Sequence, residues 1–139
     1  MIQTPKVYLN DSGLLTYSLG ATADRLKAEG ILTGAVLENF VMMELRKQCA
    51  WSAARPEMFF WRTNSDVEVD FVLEDRAGRV VGVEVKASAT LGSQDTHGLR
   101  ELADAVGKNW LRGVVLYAGK EVVPFHSNLH GIPMASLWA

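Results

Sequence analysis

The chain has 139 residues, 14 Lys and Arg against 16 Asp and Glu, and a formal net charge of −2 at pH 7. With 48% hydrophobic and 22% charged residues, the composition is that of an ordinary globular domain. It excludes a disordered tail, a collagen-like repeat and an acidic solvating segment. The near-neutral charge also excludes a grip on nucleic acid through a broad basic surface.

In chain order, Val7, Tyr8 and Leu9 predict a short strand, and Asn10, Asp11, Ser12 and Gly13 a turn or helix start leading into residues 14–19. A short helix is expected over 23–28, stopped by Gly30. Thr33 is the expected N-cap of a long helix over 35–49, rich in helix formers such as Leu37, Met42, Glu44 and Leu45. Met58, Phe59, Phe60 and Trp61 read as a strand followed by a turn at 63–66. Residues 67–74 alternate, with Val67, Val69, Phe71 and Leu73 on one face and Glu68, Asp70, Val72 and Glu74 on the other. After a turn, 80–86 alternates as well, with Val81, Val83 and Val85 opposite Gly82, Glu84 and Lys86. A helix capped by Ser93 or Asp95 runs to about Val106 and stops at Gly107, and strands are expected over 113–118 and 121–125. No repeat or linker divides the chain. One α/β domain over 1–139 follows, a central mixed sheet flanked by helices, with 1–33 as an N-terminal strand and short-helix extension.

No apolar run approaches the ~18 residues of a membrane span, and no charged segment followed by an apolar stretch opens the chain. A cytoplasmic, membrane-free protein is expected. Cys49 stands alone in sequence, which leaves no disulfide framework.

The chemistry starts at Glu38. On a helical wheel it projects from an apolar arc of Leu37, Val41, Met42, Leu45 and Cys49. A carboxylate buried there needs a cation, a metal, a donor cluster or a wet cleft. The plainer alternative is a helix-start acid near the positive end of the dipole. If Arg76, Ala77 and Gly78 form a three-residue loop with Gly78 left-handed, Asp70 faces Glu84 and Glu68 faces Lys86, all on one face of the sheet. The second pair suits an inert surface ladder. The first is two like charges directly opposed, which destabilises unless a cation intervenes. Asp70 and Glu84 with Glu38 from a facing helix form the oxygen-rich set that Mg²⁺ or Mn²⁺ favours. Lys86 stands beside them as a cation able to orient water and stabilise charge on a phosphate. Taken alone, Val-Glu-Val-Lys is more often a solvated strand face.

The combination of a helix acid, a strand acid, a tight turn and Glu-x-Lys resembles the PD-(D/E)xK nuclease-like superfamily. More narrowly, the chain resembles the C-terminal domain of uncharacterised function that follows the nucleotide-hydrolysing module in a family of prokaryotic AAA-type ATPases. Lys6 to Leu9 with Asp11 to Leu14, Gly34 to Val41, Phe60 to Arg62, Glu68 to Val72 and Val83 to Ser88 carry this likeness. It implies a restriction-endonuclease-like fold with an αβββαβ core and metal-dependent hydrolysis of DNA phosphodiesters. Glu38, Asp70, Glu84 and Lys86 fall on its catalytic positions, the three acids on its metal ligands. Val69 stands where the motif's name has proline, and no Gly-x-x-x-x-Gly-Lys-Ser/Thr loop occurs in the chain, so the ATPase is expected in cis beyond this chain or in trans. The alternative is a nuclease fold without catalysis, binding nucleic acid or a protein for such an ATPase.

Other candidates have plainer explanations. His126 and His130 are expected on a surface loop, His97, Gln94 and Asp95 on a solvated helix near the cleft, and Arg62 in a surface ion pair. Trp51, Trp61, Trp110 and Trp138 lack the spacing of a stacking platform and are expected in core or interface. Ser12, Ser65 and Ser88 have no nucleophile-elbow context.

Overall fold

The computed structural model describes residues 6–139. It begins with an extended segment, not the strand expected at Val7 to Leu9, because the hydrogen-bonding groups of Leu9 go to the Asn39 side chain. Three helices follow: α1 (Ser12–Ser18), capped by Asp11, α2 (Ala23–Ala28), capped by Thr22, and α3 (Gly30–Trp51). Gly30 opens α3 instead of stopping α2. Thr33 lies inside α3 and is no N-cap; its hydroxyl donates back to the Glu29 carbonyl at 3.1 Å and to the Leu26 carbonyl in the last turn of α2.

Among the described residues six strands form one mixed sheet, ordered β1-β2-β3-β4-β6-β5. These are β1 (Glu57–Arg62), β2 (Glu68–Glu74), β3 (Val80–Lys86), β4 (Trp110–Tyr117), β5 (Val123–His126) and β6 (Leu129–Pro133). The first three form an antiparallel meander, β3, β4 and β6 run parallel, and β5 returns antiparallel at the edge. Helix α4 (His97–Val106), after a 3₁₀ turn at Ser93–Thr96, makes the crossover that parallel β3 and β4 need, and Gly107 ends it at φ 57°. Neither Ser93 nor Asp95 caps α4; the Asp95 carboxylate instead accepts from the Gly92 N–H at 2.8 Å. Strand β6 was not expected.

Two helices cover the two faces of the sheet. Val41, Met42 and Leu45 of α3 pack on Phe71, Val83 and Leu116, while Leu99 and Leu102 of α4 pack on Val69, Val72, Val80, Val115 and Leu129. The result is an α/β/α sandwich with a core on each side. Consequently β2 is buried on both faces from Val69 to Val72, not half-buried. Its alternation also breaks. Phe59 pairs Val72 but Trp61 pairs Val69, so β2 carries one extra residue there, a bulge. Val69 therefore joins Val72 under α4, and Phe71 faces α3.

The hairpin from β2 to β3 turns at Arg76, Ala77 and Gly78 as expected, with Gly78 at φ 75°. The expected register holds from Phe71 opposite Val83 to Glu74 opposite Val80. Beyond it, the bulge takes Asp70 out of the simple ladder. The Asp70 carboxylate accepts from the Val85 N–H at 2.9 Å.

Candidate functional site

A cleft of about 340 Å³ opens where α3, β2, β3 and the start of α4 meet, and Glu38, Glu68, Asp70, Glu84 and Lys86 all line it. Each reaches it for a local reason. Glu38 sits one position before the buried Asn39 and one turn before Met42 on α3, so it leans over the sheet at the edge of the apolar stripe. The bulge swings Asp70 toward α3. Glu84 points to the α4 side, where its Oε1 lies against Gly98; a Cβ there would stand 2.7 Å from that oxygen and 2.5 Å from the Glu68 carbonyl. Only glycine lets the start of α4 approach so closely. His97, Gln94 and Asp95 complete the rim, with His97 Nε2 3.5 Å from Glu101.

The two strand acids are removed from water, Asp70 at 8% and Glu84 at 7% exposure. Asp70 also borders a largely apolar cleft of about 450 Å³ between α3 and β1. Burial pushes Glu84 up to about 7, helped by the charge of Asp70 and opposed by Lys86. Asp70 is raised too, by burial and then Glu38, against the Val85 N–H and Lys6. The expected cross-strand pair of Glu68 and Lys86 does not form. The Lys86 ammonium instead lies 3.6 Å from Glu84 on its own strand, and Glu68 faces Lys6 at 3.8 Å.

Lys6 was missed in the sequence, together with Tyr8 and Asn39. The Lys6 Nζ stands 3.1 Å from Glu38 and 3.4 Å from Asp70. Burial alone lowers its pKa, but the charges of Asp70, Glu38 and Glu68 outweigh that and raise it above the ordinary lysine value. The Tyr8 hydroxyl donates to Glu38 Oε1 at 2.5 Å, and burial with this carboxylate pushes its own ionisation well up. Asn39, 3% exposed, holds the Leu9 N–H at 2.9 Å and the Leu9 carbonyl at 3.1 Å. The available signal was the spacing of Lys6 and Tyr8, two apart and therefore on one side of an extended segment.

Four carboxylates supply a hard, oxygen-only donor set of the kind that divalent Mg²⁺ or Mn²⁺ takes. Among the described residues no three His, Cys, Asp or Glu side chains are drawn together tightly enough to hold a metal ion in this conformation; an ammonium stands among them.

The remaining candidates follow their plainer readings in part. Arg62 pairs with Asp66 at 2.8 Å. His126 and His130 lie in β5 and β6, not in a loop, with His130 Nδ1 3.3 Å from Arg112. Trp51 is 81% exposed and so stands outside the core.

The fold and cleft define an α/β domain with a mixed six-stranded sheet and an acidic, lysine-bearing cleft at one end of the β2–β3 hairpin. The chain belongs to the family described as a domain of unknown function (DUF4143), whose signature matches residues 33–137. It is 32% identical over 133 residues to an uncharacterized protein of Mycobacterium tuberculosis and to one of Mycobacterium bovis, covering 94% of this chain. The chain spans 28% of the length of these curated relatives. No solved structure matches it. Among the described residues no helix is long and apolar enough to cross a membrane.

Proposed function

We propose that this is a nuclease-like domain of the restriction-endonuclease-like, PD-(D/E)xK type that hydrolyses DNA phosphodiesters with Mg²⁺ or Mn²⁺, in the cytoplasm and in association with an AAA-type ATPase. One observation carries the reading. Glu38 from a helix, Asp70 and Glu84 from adjacent strands, and Lys86 two residues beyond Glu84 line one cleft. Asp70, Glu84 and Glu38 would hold the metal, which supplies Lewis-acid stabilisation of charge on the phosphate. Lys86, with its side chain 38% exposed, reaches the solvent side of the acids and would orient the attacking water. The greater length of the relatives supports a partner module in cis.

The purified chain should nick or cut DNA only with Mg²⁺ or Mn²⁺, and Asp70→Ala or Lys86→Ala should abolish cutting while leaving circular dichroism unchanged. Equal cutting by wild type and both variants sinks the proposal.

The position of Lys6 favours a second reading, a non-catalytic module that binds nucleic acid or protein for the ATPase. Its mark is a folded chain whose melting temperature does not rise with Mn²⁺, since a ligand held only by the native state must stabilise it.

A further inference from the structure

The segment before α1 is a strap held against α3. Asn39 holds both the N–H and the carbonyl of Leu9, and also bonds the Ser12 hydroxyl at 3.1 Å. One residue earlier, Tyr8 packs its ring on Phe71, with centroids 6.0 Å apart, and its hydroxyl donates a hydrogen bond to Glu38. Lys6 lies three residues before the Leu9 anchor. Its ammonium has Glu38 at 3.1 Å, Asp70 at 3.4 Å and Glu68 at 3.8 Å, acids from two different elements that otherwise repel one another. The strap thereby delivers a cation to the point where the cleft's acids converge.

We propose that Lys6 is a tethered competitor for the divalent-cation position, so that metal enters the cleft only when the Lys6 ammonium swings out. This rests on the metal reading above and adds its regulation. Glu38 and Asp70 are shared ligands of the two cations, and like charges at such separations repel strongly in a half-buried site. The tether keeps the ammonium at high local concentration, because only Val7 and Tyr8 separate Lys6 from the Leu9 anchor. Release requires no unfolding: the four-carbon lysine stem can rotate outward while Leu9 and Tyr8 stay in place. Anything that draws Lys6 away, such as a partner acid or a phosphate arriving at the cleft mouth, would load the site.

The test is Mn²⁺ titration calorimetry on the full chain and on Lys6→Met and Lys6→Gln. If the ammonium holds the position about nine-tenths of the time, its removal tightens Mn²⁺ about tenfold, by the fraction of competent molecules. Equal affinity in wild type and variants, or weaker binding in the variants, overturns the competition while leaving the metal reading in place. No binding by any of the three chains overturns both. A measurement on the wild type alone guards against variants that fail to fold. The ¹⁵N resonance of the Lys6 ammonium should move during Mg²⁺ titration with the same midpoint as the heat of Mg²⁺ binding to the same chain. Heat released with that resonance unmoved refutes the proposal.

Discussion

Replacing Glu84 by glutamine should stabilise this domain at alkaline pH and leave it nearly unchanged in acid. Glu84 is packed beneath the start of α4 with its side chain 9% exposed, so its charged form is short of water in the folded chain and well hydrated in the unfolded one. The folded group binds its proton more tightly. Stability therefore falls as pH rises through the interval between the unfolded and folded values, and the cost is complete above the folded one. With an ordinary value of 4.5 raised to about 7, and about 1.4 kcal/mol per pH unit, ionising Glu84 costs the fold about 3 kcal/mol at pH 8. Glutamine keeps the shape beside Gly98 and removes the charge. The lost contact with Lys86, whose side chain is 38% exposed, subtracts little. Urea unfolding without divalent ions, at pH 4.5 and pH 8, reads the difference. Glu84→Gln should exceed wild type by about 3 kcal/mol at pH 8 and lie within about 0.5 kcal/mol of it at pH 4.5. A gain that is the same at both pH values, or absent at both, refutes the argument that the buried charge is what costs stability.

Two further perturbations probe the scaffold. Gly98→Ala forces a Cβ to within 2.5 Å of the Glu68 carbonyl and 2.7 Å of Glu84, so α4 must back away from the cleft at a cost of about 1–3 kcal/mol, read as a lower urea midpoint; an unshifted midpoint means that α4 does not rest there. Leu99→Ala empties a fully buried position between α4 and the Val69, Val72 and Val115 layer. It should cost about 2–5 kcal/mol, and a loss below about 1 kcal/mol would show that this core is not packed as described.

What could be read in the sequence follows the range of the interactions involved. The turn at Gly78 and the α2 boundaries depend on neighbours a few residues away, and the structure has both. The hairpin register from Phe71 to Glu74 was legible because one tight loop sets it, but the expected opposition of Asp70 and Glu84 lies past that register, where Asp70 turns to the Val85 N–H. The bulge was not, since the offset between Phe59 opposite Val72 and Trp61 opposite Val69 belongs to a pair of strands, and no residue within β2 announces it. The alternation consequently misplaced Val69 relative to Phe71. Strand β6 hid behind Gly131 and Pro133, residues that weaken a strand pattern and are tolerated here beside the edge. Val7, Tyr8 and Leu9 have strand composition, yet their partner is a side chain thirty residues away on α3, and local composition carries no trace of that distance.

The same long-range contact changes how the charge of the chain bears on function. A net charge of −2 is adverse to nucleic acid, but the relevant balance is in the cleft, where Glu38, Glu68, Asp70 and Glu84, with Asp95 and the Arg62-paired Asp66 also lining it, face Lys6 and Lys86. Even with Glu84 protonated, the acids outnumber the lysines, so a phosphodiester approaching the cleft as it stands meets net repulsion. Lys6 offsets one carboxylate and keeps the folded chain from bearing the whole cost of crowding them. A divalent ion in the same position carries twice the charge and leaves Lys6 available to face the solvent and a phosphate. The exchange of one cation for the other would thus turn a repelling cleft into a receptive one without any rearrangement of the sheet.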